Sequence, residues 1–305
     1  MDDLDRILAA ARDWHGQGMA IATVVSTWGS APRPRGSHMI VAADGRFEGS
    51  VSGGCVEGDV LATAAEVIAS GKAVRRRYGV ADGQAWAVGL PCGGEIEVMV
   101  QPVRAGGFAP ELFEAIGAAR AAGERLSIAT DLDGGASIVG ASAGAFVNDY
   151  RPKRRLLIVG AVQIAQALAS LALTLGVSPV VIDPRGRFLT DERFPGVALD
   201  DRWPDDAVAA HRPDAATAIV TLSHDPKIDD PALIAALAAP TGYVAALGSK
   251  RSHAARLERL AAAGVAPEAL ARIEGPAGLA IGAIGASEIA LSIAAGMVAA
   301  LNDRG

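Results

Sequence analysis

The second half of the chain alternates short apolar runs with stretches of helical periodicity, and this alternation restricts the possible folds most. Residues 155–160 and 178–183 are apolar runs of strand length, and residues 164–175 between them have helical spacing. Further strands, again separated by helices, are predicted at residues 216–222 and 243–247. Strands that alternate with helices form a parallel sheet with right-handed crossovers. We therefore predict an α/β fold class in which residues 153–305 form a Rossmann-like, doubly wound domain.

Two residues at strand ends occupy the positions where dinucleotide-binding folds hold a pyrophosphate and a ribose. Gly160 ends the first strand of this half, and Asp183 ends the second. The glycine fingerprint of such folds is broken, because Val162 stands where a glycine normally lets the pyrophosphate approach the backbone. The sequence thus predicts the fold, keeps Asp183 as a candidate cofactor contact, and leaves nucleotide binding open.

The next strand ends in Ser-His-Asp at residues 223–225, at the edge of the sheet where ligands bind in such folds. His224 could be a ligand or an acid–base group there, or it could be structural or solvated. The following strand ends at Leu247 and continues with Gly, Ser, Lys and Arg. A glycine, a hydroxyl and two bases ahead of a helix could hold an anion at the helix N-terminus.

The first half is organised around a run of small residues, Gly-Ser-Val-Ser-Gly-Gly-Cys-Val-Glu-Gly, at residues 49–58. The spacing of the apolar residues after it predicts a helix from Cys55 to Gly71, with Cys55 in its first turn. Gly53 and Gly54 can adopt backbone angles that are closed to other residues. We therefore expect the unpaired N–H groups of the helix start to converge on one point, which favours negative charge.

A cysteine at a helix N-terminus loses its proton more readily than a free one, which favours a thiolate at Cys55. Glu57 and Asp59 in the same turn oppose this effect, so the sequence does not fix the acidity of the thiol. A soft sulfur beside backbone donors suits a metal or an anionic group. We predict Cys55 as a metal contact within a cofactor site that includes Gly53, Gly54 and Glu57. In that site Glu57 would support the thiol or accept a proton.

The chain has only two cysteines, and the second, Cys92, also lies in a glycine turn. A Gly-Gly pair follows it, just ahead of a predicted strand at residues 95–102. Both cysteines could be small buried apolar residues, they could share one site, or they could form a reversible disulfide with each other. Two cysteines in a chain of 305 residues do not form a disulfide framework. Cys92 is therefore a candidate supporting thiol.

A loop with two prolines and two glycines, residues 28–36, carries two arginines. Arg33 could be solvated, or it could bind a phosphate or carboxylate group, whose geometry matches the guanidinium fork. A predicted hairpin, with strands at residues 37–42 and 46–50, separates this loop from the cysteine turn. The sequence places the loop and the turn at opposite ends of this hairpin, and tertiary packing decides whether they meet.

Composition restricts the class of protein. Half of the residues are apolar and a fifth are charged, which argues against disorder. The net charge of −6 does not indicate a nucleic-acid-binding protein. We predict no membrane span, and the N-terminus lacks the pattern of a signal peptide, so a cytoplasmic location is expected. Small and polar residues at 141–152 predict a linker. The predicted domains are therefore residues 1–145 and 153–305.

With these motifs in place, the chain resembles the XdhC/CoxI family of accessory proteins, which mature molybdenum hydroxylases such as xanthine dehydrogenase. Besides the cysteine motif, the resemblance rests on residues 29–34, 92–94, 181–185, 223–225 and 278–288. It implies a cofactor-handling N-terminal domain followed by a Rossmann-like domain. The chain departs from the family at Val162 and Gln163, where glycine and histidine are usual, and at Ala280, where an aspartate is usual.

The resemblance implies a chaperone rather than an enzyme. It would bind a molybdopterin-type molybdenum cofactor as cargo, protect it while a terminal sulfur is installed, and pass it to an apo-hydroxylase. The implied partners are that molybdenum hydroxylase and a cysteine desulfurase-type sulfur donor, and a homodimer is expected from base rates. A thiolate suits the open positions of the molybdenum, and Arg33 suits the phosphate of the pterin.

Two other functions stay open at this point. The first is a nucleotide-dependent oxidoreductase that uses the second domain, with His224 and Asp225 at the site. The broken glycine fingerprint counts against it. The second is a non-catalytic adaptor that brings a sulfurtransferase and a hydroxylase together. An adaptor needs no intact Cys55, whereas a chaperone that holds the cofactor through its thiol does.

Overall fold

The computed structural model describes residues 2–79 and 94–303, and the chain divides into two compact units. The first unit comprises residues 2–152 and the second residues 153–305. In the described residues the first unit contains two sheets and the second unit one, and each unit has its own hydrophobic core. None of the helices in the described part of the chain combines the length and the apolar character that crossing a bilayer requires.

A five-stranded antiparallel sheet forms the centre of the first unit. Its strands are β1 (Met19–Trp28), β2 (His38–Ala42), β3 (Phe47–Gly49), β4 (Val74–Tyr78) and β5 (Glu95–Pro102). They pair in the order β3-β2-β1-β5-β4. The central strand β1 is buried over its first seven residues because apolar residues pack on both of its faces.

Three helices cover the two faces of this sheet, namely α1 (Asp3–Asp13), α2 (Glu57–Ser70) and α3 (Pro110–Ala122). Helix α2 packs Val60, Ala64 and Val67 against one face. Helices α1 and α3 pack against the opposite face, where Ile7 and Ile116 are buried. Each face of the sheet therefore belongs to a separate apolar cluster.

A three-stranded antiparallel sheet completes the first unit, with strands β6 (Leu126–Thr130), β7 (Ser137–Val139) and β8 (Phe146–Tyr150) in the order β7-β6-β8. The linker predicted at residues 141–152 is wrong here, because β8 lies within it and pairs with β6. Phe146 and Tyr150 are buried at the two ends of β8, and more exposed residues stand between them. Two apolar anchors were too few to reveal a strand among small and polar residues.

The second unit contains a six-stranded parallel sheet. Its strands are β9 (Arg155–Val159), β10 (Ser178–Ile182), β11 (Ala198–Asp200), β12 (Thr217–Thr221), β13 (Tyr243–Ala246) and β14 (Ile273–Glu274). Their order is β11-β10-β9-β12-β13-β14, and every neighbouring pair is parallel. The predicted Rossmann-like, doubly wound fold is confirmed. Its topological switch point lies between β9 and β12, where the order of the strands reverses.

Helices lie on both faces of the parallel sheet, as the doubly wound fold requires. They are α4 (Gln163–Thr174), α5 (Pro204–His211), α6 (Pro226–Ala238), α7 (Lys250–Ala262), α8 (Pro267–Leu270) and α9 (Ala286–Asp303). Helices α4 and α9 pack on one face, and α5, α6 and α7 pack on the other. Both faces of the strands are thereby buried, which explains their continuous apolar character.

Candidate functional site

The turn that carries Cys55 differs from the predicted one in where the helix begins. Helix α2 begins at Glu57 with Val56 as its N-cap, so the prediction that Cys55 lies in the first helical turn is wrong. The reason is that Val56 points into the core, where it and Val51 are fully buried in the apolar cluster under α2. Cys55 is exposed. Two valines thus anchor the turn while it presents the thiol to solvent.

Gly53 and Gly54 adopt positive φ angles of 74° and 120°. A Cβ atom built on either glycine would contact no atom within 4 Å. The two glycines are therefore required by the backbone conformation and not by a lack of room. The space beside the backbone ahead of Cys55 is open.

The carboxylate of Glu57 is the hydrogen-bond acceptor at the centre of the turn. The backbone nitrogens of Val51, Ser52 and Gly54 donate to it at 3.2, 2.9 and 2.8 Å. The hydroxyls of Ser50 and Ser52 donate to it as well, that of Ser50 at 2.6 Å. Donors therefore converge on one point, but they belong to residues 50–54 and not, as was expected from sequence, to the helix start, and the carboxylate of Glu57 fills that point.

These contacts set the charge of Glu57. Partial burial raises its pKa, but the hydrogen bonds from Ser50 and Ser52 outweigh burial and lower the pKa to about 2. A carboxylate with so low a pKa is ionised at neutral pH and is a weak base. The geometry favours Glu57 as the group that holds the cysteine turn in place, and it does not favour a proton acceptor.

The arginine loop and the cysteine turn lie at the same end of the five-stranded sheet. The loop joins the end of β1 to the start of β2, and β3 runs antiparallel to β2, with Gly49 paired to Met39. The backbone nitrogen of Ser50 donates to the carbonyl of His38 at 3.0 Å. The prediction of opposite ends is wrong, because antiparallel pairing returns the end of β3 to the start of β2.

Trp28 marks the same end of the sheet. It ends β1, it is 70% exposed, and it pairs in register with Glu95 at the start of β5. Gly94 lies against the arginine loop, because a Cβ atom on it would come within 2.6 Å of the carbonyl oxygen of Ser30. Cys92 lies outside the described residues, so its role as a supporting thiol stays a prediction. The sequence analysis assigned Trp28 no role, although a tryptophan at the junction of a strand and a glycine loop is a usable signal of a binding surface.

Arg33 lies on the α1 side of the sheet and forms an ion pair with Asp3 at the start of α1. Its Nε is buried and has no hydrogen-bond partner among the described residues. Arg33 lines a pocket of about 330 Å³, together with His38, Tyr150 and Arg151. The cysteine turn packs on the α2 side. Arg33 and Cys55 thus share one end of the sheet but lie toward different faces.

His38 forms a polar wall of this pocket, and sequence reasoning assigned it no role. Its Nδ1 lies 2.9 Å from the hydroxyl of Thr23, and its Nε2 lies 2.8 Å from the hydroxyl of Tyr150. Complete burial lowers the pKa of His38 to about 4. The imidazole is therefore neutral at physiological pH. A lone histidine in an apolar strand carries no sequence signal that separates it from an ordinary core residue.

Asp183 is fully buried at the end of β10, and its oxygens are engaged by its own unit. The backbone nitrogen of Ala161 donates to Oδ2 at 2.8 Å, and the Nε of Arg185 donates to Oδ1 at 2.8 Å. Burial raises the pKa of Asp183, but the hydrogen bonds from Arg185 and Ala161 lower it overall. This geometry does not favour the predicted contact with a ribose. It favours a structural anchor for the turn after β9.

His224 is exposed at the switch point and has a left-handed backbone with a φ of 61°, which is uncommon for residues other than glycine. Its neighbour Ser223 lies against Gly160, because a Cβ atom there would come within 2.8 Å of the Ser223 nitrogen. The Ser223 hydroxyl donates to Asp229 at 2.6 Å. The structure thus brings the ends of β9 and β12 together. The role of His224 as a ligand stays a prediction.

A metal ion usually needs several side-chain ligands, and the described ranges 2–79 and 94–303 offer no such group. No three side chains of His, Cys, Asp or Glu in these ranges are grouped so that they could hold a metal ion. The metal contact predicted for Cys55 therefore rests on one exposed thiol, and it stays a prediction.

Comparison with known proteins gives matches in both units. Residues 14–79 match the XdhC and CoxI family, and residues 156–297 match the XdhC Rossmann domain. The molybdenum cofactor insertion chaperone PaoD of Escherichia coli K12 is 33% identical over 289 residues, which cover 92% of this chain and 82% of PaoD. A protein of Bacillus subtilis 168 described as a probable xanthine dehydrogenase subunit is 25% identical, covering 91% of this chain and 92% of its own.

A solved structure gives the same result for the fold. The crystal structure of a xanthine dehydrogenase from Bacillus halodurans superposes with a TM-score of 0.81 at 25% identity, covering 100% of this chain and 97% of that chain. The resemblance stated from the motifs is confirmed. Because PaoD matches over most of both chains and family models match each unit, the chain belongs to the XdhC and CoxI family.

Proposed function

We propose that this protein is a chaperone that binds the molybdenum cofactor as cargo and inserts it into a molybdenum hydroxylase of the xanthine dehydrogenase type. The observation that carries this proposal is the 33% identity to the cofactor insertion chaperone PaoD over 92% of this chain. The family to which the chain belongs supports a role in maturing xanthine dehydrogenase.

The cysteine turn is the proposed point of contact with the metal. Its thiol is exposed, and its backbone is fixed by five hydrogen bonds to the ionised Glu57. Thiolate sulfur is a soft ligand that suits a sulfur-bound molybdenum. A single protein ligand on a rigid turn can capture the metal and release it again, which is what a carrier requires.

Two further features at this end of the sheet suit the rest of the cofactor. The exposed indole of Trp28 offers a flat surface on which the pterin rings could stack. The pocket beside Arg33 offers a guanidinium that pairs with Asp3 through Nη2 and whose Nε has no partner among the described residues, and this Nε suits the phosphate of the pterin. We propose both as cargo contacts, with Cys92 as a supporting thiol. The sulfur donor and a homodimer remain predicted partners.

The nucleotide-dependent oxidoreductase is not proposed. Val162 caps α4 where a glycine would be needed, and no side-chain cap hydrogen bond is formed there. The carboxylate of Asp183, which would hold a ribose, is buried and bonded to Ala161 and Arg185. Both features oppose a dinucleotide at the switch point.

The decisive experiment compares the wild-type protein with Cys55→Ser, both purified from cells that make the cofactor. We expect close to one equivalent of molybdenum and of pterin in the wild type, and a loss of about tenfold in the variant. The matched control is Ser70→Ala, an exposed change at the far end of α2, which should retain the cofactor. Metal analysis and the fluorescence of the oxidised pterin measure the two contents.

Activation of an apo-hydroxylase separates the chaperone from the adaptor. A chaperone that holds the cofactor through Cys55 should lose activation in Cys55→Ser, whereas an adaptor should keep it. Absence of cofactor from the wild type, together with saturable binding of a nicotinamide or adenine nucleotide, would overturn the proposal and place the function in the second unit.

A further inference from the structure

The carboxyl ends of β12 and β13 gather buried polar atoms that lack a hydrogen-bond partner within the described part of the chain. They are Oγ1 of Thr221, Nδ1 of His253, and Nε and Nη1 of Arg256. Thr221 ends β12, and the other two residues lie in the first two turns of α7, which follows β13. Buried polar groups are nearly always paired, and ligands of parallel sheets bind at this edge. Of these residues Arg256 points most clearly to a ligand, because it is charged and two of its nitrogens lack a partner in the described ranges.

Arg256 is the charged member of this cluster, and it is only 4% exposed. Its Nη2 donates to the carbonyl of Leu247 at 2.8 Å. The carboxylate of Asp229 is 3.9 Å from the same nitrogen, which is too far for a hydrogen bond, and it accepts one from Ser223 instead. A buried guanidinium with two donor nitrogens unpaired is costly unless an anion completes its contacts.

The start of α7 offers donors and positive charge next to Arg256. Ser249 caps the helix, and Lys250 and Arg251 follow in a first turn that contains no acidic residue. Cations are unfavourable at a helix N-terminus, because the helix dipole is positive there, and a bound anion would neutralise them. Gly248, with a φ of 149°, lies against the start of α7, since a Cβ atom on it would come within 2.5 Å of the Ser252 hydroxyl oxygen, and Nη2 of Arg256 would be 3.8 Å away.

We propose that the turn of residues 247–251 and the guanidinium of Arg256 bind the phosphate group of a phosphorylated ligand. Phosphate suits this site better than carboxylate, because donors reach it from the helix start and from Arg256, and two more cations stand in the first turn. The site belongs to the second unit and does not depend on Cys55 or on the proposed cargo. Its success or failure is therefore independent of the function proposed above.

Titration calorimetry of the full chain with inorganic phosphate tests the site, and acetate serves as the carboxylate probe. To exclude the pocket proposed for the pterin phosphate, the titration is repeated in Arg33→Gln, where we expect phosphate binding at this site to persist and acetate to bind at least tenfold more weakly. Arg256→Lys keeps the charge but removes the forked donors, so phosphate should bind about tenfold more weakly. The matched control is Arg259→Gln on the same helix, because Arg259 pairs with Asp230 at 2.7 Å and should not affect binding.

A second variant is needed in case a substitution at the buried Arg256 prevents folding. Lys250→Glu places an acid where the helix dipole favours it, so the melting temperature should not fall, but the acid should repel phosphate and weaken its binding about tenfold. Absence of saturable phosphate binding by the wild type overturns the proposal. Wild-type affinity in both Arg256→Lys and Lys250→Glu, or acetate binding as tight as phosphate binding, also overturns it.

Discussion

The backbone nitrogen of Gly54 donates a hydrogen bond to the carboxylate of Glu57 at 2.8 Å, so the first residue of α2 closes the turn that presents Cys55. Glu57 also accepts bonds from Ser50 and Ser52 at the start of that turn. One carboxylate thus links the end of β3, the glycine pair and the helix. The thiol is placed by this contact and not by the helix start alone.

Replacing Glu57 with glutamine should loosen the cysteine turn. An amide keeps one acceptor oxygen but directs an NH₂ group at N–H donors, so about 2 kcal/mol of the stability of the first unit should be lost. Because each unit has its own hydrophobic core, hydrogen exchange of first-unit peptides is the appropriate measurement. Glu66→Gln, an exposed change on the same helix, is the control and should have little effect.

The pH dependence of the same variant has a definite sign. The folded-state pKa of Glu57, about 2, lies below its ordinary value of 4.5, so its contribution is complete above pH 4.5 and is lost as the pH falls toward 2. The stability difference between wild type and Glu57→Gln should therefore shrink across this window. A difference that stays constant down to pH 2 would contradict the assignment of Glu57 as the ionised anchor.

The two glycines of the turn should respond unequally to alanine. Gly54 has a φ of 120°, which side-chain-bearing residues rarely adopt, whereas Gly53 has a φ of 74°, close to the left-handed helical region. Since neither position is crowded, backbone strain alone should cost about 1 kcal/mol for Gly53→Ala and about 3 kcal/mol for Gly54→Ala. Gly58→Ala inside α2 is the control and should be neutral or stabilising. Equal losses at Gly53 and Gly54 in thermal unfolding would contradict this account.

The four central strands of the second unit could be predicted from sequence because their signal is local, whereas the short edge strands β11 and β14 were not predicted. Residues 155–160 and 178–183 were predicted as strands, and β9 and β10 occupy them to within one residue. A strand that is buried on both faces must be apolar along its whole length. In the first unit, β8 escaped prediction because its burial depends on pairing with β6, which is distant in sequence.

The candidate site was predictable in its residue types but not in its contacts. The motif around Cys55 indicated a glycine-supported thiol, and both glycines have positive φ. The motif could not show that the carboxylate of Glu57 accepts the hydrogen bonds of the turn. In the structure that carboxylate competes with any external anion for the same N–H groups. That the arginine loop and the cysteine turn lie at the same end of the sheet follows from strand direction, which periodicity does not reveal.

Thiol labelling tests the exposure of Cys55 directly. In the native wild-type protein, a thiol-specific reagent should modify Cys55 rapidly because its side chain is exposed. Cys55→Ser should remove one rapidly reacting thiol from the count without changing hydrogen exchange in the first unit. Ser52→Ala is a useful comparison, because it removes hydrogen bonds to Glu57 and to the Val56 nitrogen. It should keep the reactive thiol while loosening the turn. An unchanged count in Cys55→Ser would show that the thiol is protected.

His38 should give the first unit a stability that rises with pH in the mildly acidic range. Its folded-state pKa of about 4 lies below the ordinary 6.5, because burial against Thr23 and Tyr150 disfavours the charged ring. Between these two pKa values His38 binds a proton in the unfolded chain but not in the folded chain. The stability of the first unit therefore falls as the pH drops from 6.5 to 4 and then levels off. The total change should be about 3 kcal/mol.

In His38→Gln this pH-dependent loss of stability should disappear, because glutamine does not titrate. The control is His224→Gln, which changes an exposed histidine of the second unit. In this variant the pH-dependent loss of stability of the first unit should remain. Hydrogen exchange of first-unit peptides at pH 5 and pH 7 measures both variants, with rates corrected for the intrinsic effect of pH. Glu57 does not interfere, since its own contribution is complete above pH 4.5. Equal stabilities of the wild type at pH 5 and pH 7 would mean that water reaches the His38 ring. The pocket beside Arg33 would then have a wall that can become charged.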